Sequence, residues 1–365
     1  MKFLHIITSL RTGGAERLVV DQAKRHIAEG NDVSLLLFDG TRTPLLEELE
    51  KTGIPVHALS EGWRAMRNPA LVFKLSRFLR KNRFDIIHTH NTSCQFLVAV
   101  VSLWMPLTMV TTEHNTTNRR RGNRFLIGVD RWMYGRYRRI ACVSEETRLA
   151  LVMWIPKIAA KTVIIPNGID LDRFRNASPA PEISETPGYR ILMVAAFRAQ
   201  KDQATLIRAF RLLSPEYHLF LAGGAETKQD EDNLQSCKAL AEDSALAGRV
   251  HFLGIRSDVP ALLAACDVSV LSSHYEGFGL SAVESMAGGK PLIDSNVKSL
   301  DTVVGGAGLL FPEGNAEKLA DTIRSVCENP ALAQEVAEKC RRRSLCYDIV
   351  ETARQYRSLY KEILK

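Results

Sequence analysis

The sequence predicts an α/β protein built from two Rossmann-like, doubly wound parallel-sheet domains in series. Three observations carry that expectation. Short runs rich in Val, Ile and Leu alternate with amphipathic segments along almost the whole chain. Those runs are nearly continuous in apolar residues, as strands covered on both faces must be. The alternation stops once, at a Pro-rich stretch, and then begins again. The length of 365 residues agrees, because single cores seldom grow past about 250–300 residues.

Taken in order, Phe3–Thr8 reads as the first strand. Its apolar run is short, contains His5, and meets Arg11 and a glycine pair too soon for a secretory leader. Val33–Phe38, Pro55–Ala58, Asp85–Thr89, Thr108–Thr112, Arg139–Val143 and Thr162–Ile165 follow as strands. Helical patterns lie between them near 15–29, 68–82, 93–104, 122–137 and 145–154. Residues 176–188 hold three prolines and a glycine and read as a linker. The second series runs Arg190–Ala196, His218–Ala222, Val250–Leu253, Val268–Ser272 and Pro291–Asp294. Its helices are expected near 202–212, 228–243, 258–265, 280–288 and 315–328, and the tail 331–364 is helical and charged. The expected division is 1–175, a linker at 176–188, 189–345, and a C-terminal helix at 346–365. Such sheets bind ligands at the carboxyl ends of their strands, so two of them facing each other would make a cleft.

Composition narrows the class. With 45% hydrophobic and 24% charged residues, a fibrous or disordered chain is excluded. No stretch reaches about 18 uninterrupted apolar residues, so no membrane-spanning helix is expected. Seven cysteines, an odd number without a Cys-x-x-Cys pair, suit reduced thiols in the cytoplasm. Charge is uneven: residues 1–180 hold 27 Lys and Arg against 16 Asp and Glu, a net +11, while the remainder holds 21 against 25, a net −4. A basic first half suits an anionic partner or surface.

The stretch from His274 to Glu284 is the most specific feature. It follows a strand and opens a helix. Gly277 and Gly279 flank Phe278 and let backbone approach a ligand, while the helix amino end favours an anion. Glu276 stands before the helix and Glu284 one turn inside it, on the face of Leu280. Carboxylates grip vicinal hydroxyls, so this layout suits a nucleotide diphosphate sugar. Arg198 and Lys201, at another strand end of the same half, suit a diphosphate. Arg11, Thr12, Gly13 and Gly14 form a glycine turn before the first helix, short of a full dinucleotide or P-loop fingerprint. His88 and His90 share one face of a strand by its two-residue period, and no third metal ligand stands at suitable spacing nearby. Thr112, Glu113, His114 and Asn115 add a polar cluster at the next strand end. Asp170 and Asp172 follow a turn and read as turn and capping residues.

With these residues in view, the chain resembles a retaining glycosyltransferase of the GT-B fold, in the large family four. The resemblance spans nearly the whole chain. Its Glu-x7-Glu motif matches Glu276 and Glu284, its Arg and Lys pair matches Arg198 and Lys201, its Gly-Gly-x-Glu loop matches Gly13 to Glu16, and its Asp-x-x-His-x-His strand end matches His90. Val143, Ser144 and Glu145, and Pro166 to Asp170, match two further landmarks. The resemblance implies that Glu284 binds the ribose. It implies that Glu276 and the amides of Phe278, Gly279 and Leu280, beside Gly277, hold sugar and diphosphate. It further implies that Arg198 and Lys201 neutralise the leaving diphosphate, that Gly14 lets backbone close on the phosphate, and that His90 faces the donor sugar near the reacting carbon. Arg256 and Asp258 would lie where the nucleobase docks. Transfer in that family retains configuration and needs no bound metal, so no cofactor is expected beyond the donor. The chain departs from the pattern at Ala222, Gly223 and Gly224, where the family has Gly-x-Gly-Pro. It departs again at Val297 to Asp301, where a glycine pair is missing and Lys298 adds a cation.

The expected activity is transfer of a hexose-type sugar, with uridine the expected base, to a saccharide or lipid-linked acceptor in cell-surface polysaccharide biosynthesis. The alternatives are a non-catalytic sugar-nucleotide-binding partner of another transferase, and a sugar-nucleotide epimerase of the same fold. Residues 119–139 carry eight Arg and four aromatics, and 63–81 is also basic. Such segments suit peripheral contact with an anionic membrane at the cytoplasmic face. No nucleic-acid motif accompanies the charge.

Overall fold

The computed structural model describes residues 1–11, 13–62, 68–117, 120–121, 123 and 125–365. The chain divides into two compact units, Met1–Gly168 with Ile349–Lys365, and Ile169–Asp348.

The first unit carries strands β1 (Lys2–Ile7), β2 (Asp32–Leu37), β3 (Val56–Ala58), β4 (Ile86–His90), β5 (Met109–Glu113), β6 (Arg139–Cys142) and β7 (Thr162–Ile164). They lie in the order β3-β2-β1-β4-β5-β6-β7, all parallel. Helices α1 (Gly14–Ala28), α2 (Pro44–Glu50), α3 (Ala70–Lys81), α4 (Thr92–Val101), α5 (Ile127–Arg136) and α6 (Glu145–Trp154) connect them. Both sheet faces are buried: Leu4 and Ile6 belong to one apolar cluster, Phe3 and Ile7 to the other. This is why the strands read as continuous apolar runs.

The second unit begins with two short helices, α7 (Asp172–Arg175) and α8 (Pro181–Ser184). Its strands are β8 (Tyr189–Val194), β9 (Tyr217–Ala222), β10 (Val250–Gly254), β11 (Val268–Leu271), β12 (Leu292–Ser295) and β13 (Leu309–Phe311), in the parallel order β10-β9-β8-β11-β12-β13. The helices are α9 (Gln203–Phe210), α10 (Lys228–Ala241), α11 (Val259–Ala265), α12 (Leu280–Ala287), α13 (Lys298–Val304), α14 (Ala316–Cys327) and α15 (Pro330–Ser344). Helix α16 (Ile349–Leu364) returns to the first unit, where Tyr356 and Tyr360 are fully buried among Phe3, Val19 and Val20.

Residues 176–188 differ from a free linker. Ala180 and Ile183 are buried, and the Ala180 N–H donates to the Ala261 carbonyl at 3.0 Å. Pro181 sits at the first position of α8, where a missing N–H costs nothing. Ile169, Leu171 and Phe174 are likewise buried, so the division falls at Gly168 and not near residue 175.

Candidate active site

The second sheet reverses its strand order between β8 and β11, the point at which doubly wound sheets take ligands. Two loops leave the sheet there and are stitched together. Ser272 Oγ donates to the carbonyls of Lys201 at 3.1 Å and Asp202 at 2.9 Å. The His274 N–H donates to the Gln200 carbonyl at 2.8 Å. Asp202 adopts φ 46°, turns the chain, and caps α9 by accepting from the Thr205 N–H at 3.2 Å. The result is an ion pair between Lys201 Nζ and Glu276 Oε1, with side chains 15% and 7% exposed. Ser273 Oγ donates to the same Glu276 oxygen at 2.8 Å. A pair this enclosed is costly to break, since the surviving charge is left in a poor solvent.

Glu276 leads directly to the amino end of α12. Gly279 caps that helix with φ 88°, a conformation a side chain resists, and a Cβ there would lie 2.5 Å from Leu300 Cδ2. Phe278 turns inward, 5% exposed, with its ring edge-on to Tyr347 at 5.5 Å. Its ring anchors the loop before α12. Gly277, Leu280 and Glu284 are half-buried along the same edge. Arg198 is half-exposed, with a loose contact of 3.4 Å to Glu226. The Lys201–Glu276 pair thus stands just before the amino end of α12, which carries Glu284, while Arg198 lies in the loop after β8 that also carries Lys201.

Sequence reasoning missed Asp294. This β12 residue is fully buried, and both its carboxyl oxygens lack a hydrogen-bond partner among the described residues. Burial and the nearby Glu276 charge push its carboxyl well above the usual carboxylate range. As an Asp within an apolar strand run it gave no local signal. Its neighbour Ser295 donates to the Ser273 carbonyl at 2.5 Å, tying β12 to the Glu276 loop.

At the first of the two departures from the resembled pattern, a Cβ at Gly223 would lie 1.9 Å from the Ala195 carbonyl oxygen, so the loops after β8 and β9 touch backbone to backbone. At the second, Lys298 is exposed at the start of α13. Arg256 grips Asp258 at 2.8 and 2.5 Å and Glu182 at 2.5 Å, which holds the Asp258 carboxyl below its ordinary range. Asp170 Oδ1 accepts from the Asp172 N–H at 3.2 Å, a turn and capping arrangement.

In the first unit, Gly13 caps α1 and Gly14 is its exposed first residue; Thr12 lies outside the described residues. His90, the ring expected to face the donor sugar, does not stand open to solvent. It is fully buried, with Nε2 3.1 Å from His5 Nδ1 and Nδ1 3.3 Å from His114 Nε2. His114 lines a pocket of about 180 Å³ together with Asn91, Thr92, Gln95, Thr112, Glu113 and Asn115. His88 is bound by Tyr360 OH at 2.6 Å and Thr112 Oγ1 at 2.7 Å. The third metal-capable ring that spacing could not reveal is His5, which pairs in register with His88 across β1 and β4. His5, His88 and His90 bring one nitrogen each within 4.8 Å of one another, but both nitrogens of His88 are engaged by hydroxyls. Burial holds all these rings uncharged: His5 and His114 are lowered to about 4, His26 to about 3, and His88 and His90 well below 6.5.

The basic segments separate into committed and exposed charge. Residues 63–67, 118, 119, 122 and 124 lie outside the described residues. Arg120 pairs with Asp130 and Arg121 with Glu113, each at 3.0 Å, while Arg136 binds Ser102. Tyr134 and Tyr137 are fully buried. Exposed basic and aromatic residues remain in both segments: on α3 Phe73 is 74% exposed beside exposed Lys74, Arg77, Arg80 and Lys81, and in 119–139 Phe125 is 92% exposed, with Arg131 and Arg138 also exposed. Among the described residues no helix is long and apolar enough to cross a membrane.

Comparison with known proteins decides the family. Residues 12–173 match the pattern of Glycosyltransferase Family 4, and residues 175–343 match Glycosyl transferases group 1. The chain is a family four glycosyltransferase of the GT-B fold. An Escherichia coli relative, UDP-Gal:alpha-D-GlcNAc-diphosphoundecaprenol alpha-1,3-galactosyltransferase, is 23% identical over 100% of this chain and 97% of its own length. N,N'-diacetylbacillosaminyl-diphospho-undecaprenol alpha-1,3-N-acetylgalactosaminyltransferase of Campylobacter jejuni is 30% identical, over 48% of this chain and 45% of that one. A crystal structure of Anabaena HepE in complex with UDP-glucose has the same fold, with a TM-score of 0.87 and 24% identity over 99% of this chain and 100% of that one. In this glycosyltransferase the family's acidic pair and cation pair all fall within the second unit.

Proposed function

We propose that this glycosyltransferase moves a hexose-type sugar from a UDP-linked donor to a saccharide or lipid-linked acceptor in cell-surface polysaccharide biosynthesis, with retention of configuration and without a bound metal. The observation that carries the reading is the Lys201–Glu276 pair at the amino end of α12. A diphosphate needs a cation and open amide donors, and a sugar needs a carboxylate; that corner of the second unit offers all three.

In this reading Glu284 accepts from the ribose hydroxyls, and the amides of Phe278, Gly279 and Leu280 take the diphosphate. Lys201 is already held in place by Glu276, so it meets charge developing on the leaving diphosphate without reorganising. Arg198 closes on the same charge from its exposed position. The base rests by Arg256 and Asp258, whose mutual grip stiffens that loop. One cation held in place and one that closes from the surface serve the leaving group in the part a divalent metal plays elsewhere. The acceptor belongs to the first unit, and its diphosphate-lipid class is supported by the acceptors named for the Escherichia coli and Campylobacter jejuni relatives. The exposed face of α3 supports peripheral contact with anionic lipid at the cytoplasmic side.

The test is release of nucleoside diphosphate from a donor panel with and without polyprenyl-diphosphate saccharides. Acceptor-dependent UDP release supports the proposal. Turnover without acceptor would indicate an epimerase, and donor binding without any turnover would indicate a non-catalytic partner; either result overturns it.

A further inference from the structure

We propose that His5, His90 and His114 form one hydrogen-bonded chain whose tautomers are locked together, so that the nitrogen His114 offers to the pocket is set from inside the core by His5. The geometry is a line of two contacts. His5 Nδ1 meets His90 Nε2 at 3.1 Å, and His90 Nδ1 meets His114 Nε2 at 3.3 Å. The rings come from three adjacent parallel strands, β1, β4 and the residue after β5, so the sheet itself fixes the spacing.

A neutral imidazole carries one N–H and one bare nitrogen. Setting one ring in such a chain therefore sets the other two. In one sense, His5 Nδ1 donates to His90 and His90 Nδ1 donates to His114, leaving an N–H on His114 Nδ1 and a bare His5 Nε2. In the opposite sense every donor reverses, leaving a lone pair on His114 Nδ1 and an N–H on His5 Nε2. Mixed arrangements place two N–H groups, or two lone pairs, against each other at one contact.

The inner end is where the choice is made. Among the described residues His5 Nε2 is buried without a hydrogen-bond partner, and the His26 ring of α1, whose nitrogens are likewise unpartnered, lies stacked 6.1 Å from the His5 ring. His88 cannot intervene, because Tyr360 and Thr112 engage both its nitrogens. The outer end opens on the pocket beside Asn91, Gln95 and Glu113. Glu113 is held there by Tyr134 at 2.7 Å, Gln95 at 2.6 Å and Arg121 at 3.0 Å. His114 is thus the imidazole that meets a ligand hydroxyl, and His90 and His5 are positioning residues behind it. The kinetic consequence rests on the glycosyl-transfer reading; the tautomer chain does not.

Imidazole nitrogen NMR of the full-length protein at neutral pH tests it, since protonated and bare ring nitrogens are distinguishable. The expected spectrum has all three rings neutral with one head-to-tail sense. In His5→Phe the His114 tautomer ratio should shift several-fold. Should that core variant fail to fold, His114→Phe at the strand end should shift the His5 ratio reciprocally, with His114→Gln restoring it. A mixed sense in the wild type, or ratios unmoved in a folded variant, would overturn the chain. In a glycosyltransfer assay, His5→Phe should lower kcat at least several-fold with the donor KM unchanged. Loss of activity with an unmoved His114 tautomer would also count against it, whereas inactivity of the wild type would fault only the function.

Discussion

Lowering the pH from about 7.5 to about 5.5 should unfold the first unit ahead of the second. Five histidines of that unit are held uncharged by burial: His5 and His114 are lowered to about 4, His26 to about 3, and His88 and His90 well below the ordinary 6.5. Their folded affinity for protons is depressed, so the unfolded chain binds more protons. The stability they permit is present above about pH 6.5 and is lost as pH falls toward their folded values. His5, His26 and His114 each lose about 1.3 kcal/mol across that interval, about 4 kcal/mol together, and His88 and His90 act in the same direction. A domain's whole stability is about 5–15 kcal/mol, so the loss is decisive. Asp294 acts with the opposite sign in the second unit: its raised carboxyl favours folding as pH falls. His218 and His251 of that unit are only half-buried and shift less. All four tryptophans lie in the first unit, so their fluorescence reports it alone. Urea midpoints by tryptophan fluorescence should fall steeply over this interval. His26→Leu should recover about 1.3 kcal/mol at the acid end, because among the described residues neither nitrogen of that ring has a hydrogen-bond partner to lose. A midpoint that stays flat, or uptake of fewer than two protons on unfolding, would refute the reasoning.

Four further outcomes follow from the site. Glu284→Ala should weaken donor binding about 100-fold, the loss of roughly two hydrogen bonds to a charged acceptor, measured by calorimetry with UDP. Lys201→Met should lower kcat by about 100-fold or more with a smaller change in donor affinity, measured by UDP release. Gly279→Ala combines a strained φ with a 2.5 Å approach to Leu300, and should lower the thermal midpoint of the second unit and abolish donor protection. Phe73→Ser with Arg77→Glu should reduce sedimentation with anionic vesicles several-fold while leaving activity on a short-chain soluble acceptor intact.

The fold was legible because both sheets are covered on both faces. Burial on two sides makes a strand a continuous apolar run, and most expected strands lie within two residues of the observed ones. β13 escaped because three residues after a glycine-rich turn give no period to read. α7 and α8 escaped because proline and small polar residues mask the few apolar anchors that pin them. At the site, the residue types after β8 and β11 were legible, since strand ends and a glycine-flanked helix start are local signals. The Lys201–Glu276 contact was not, because it joins residues 75 apart through a strand order that sequence does not print. His5 was missed for the same reason: only the pairing of β1 with β4 sets it opposite His88. The burial of His90 was also invisible, because the two-residue period assigns a face and not the rings that come to cover it.

Amide hydrogen exchange of the whole protein, with and without saturating UDP-sugar, tests the central claim most directly. Donor binding should slow exchange at 277–284 and 199–202 together, and Lys201→Met should weaken both effects. Protection confined to other segments, or none with a donor shown to bind, would contradict the assignment of this seat.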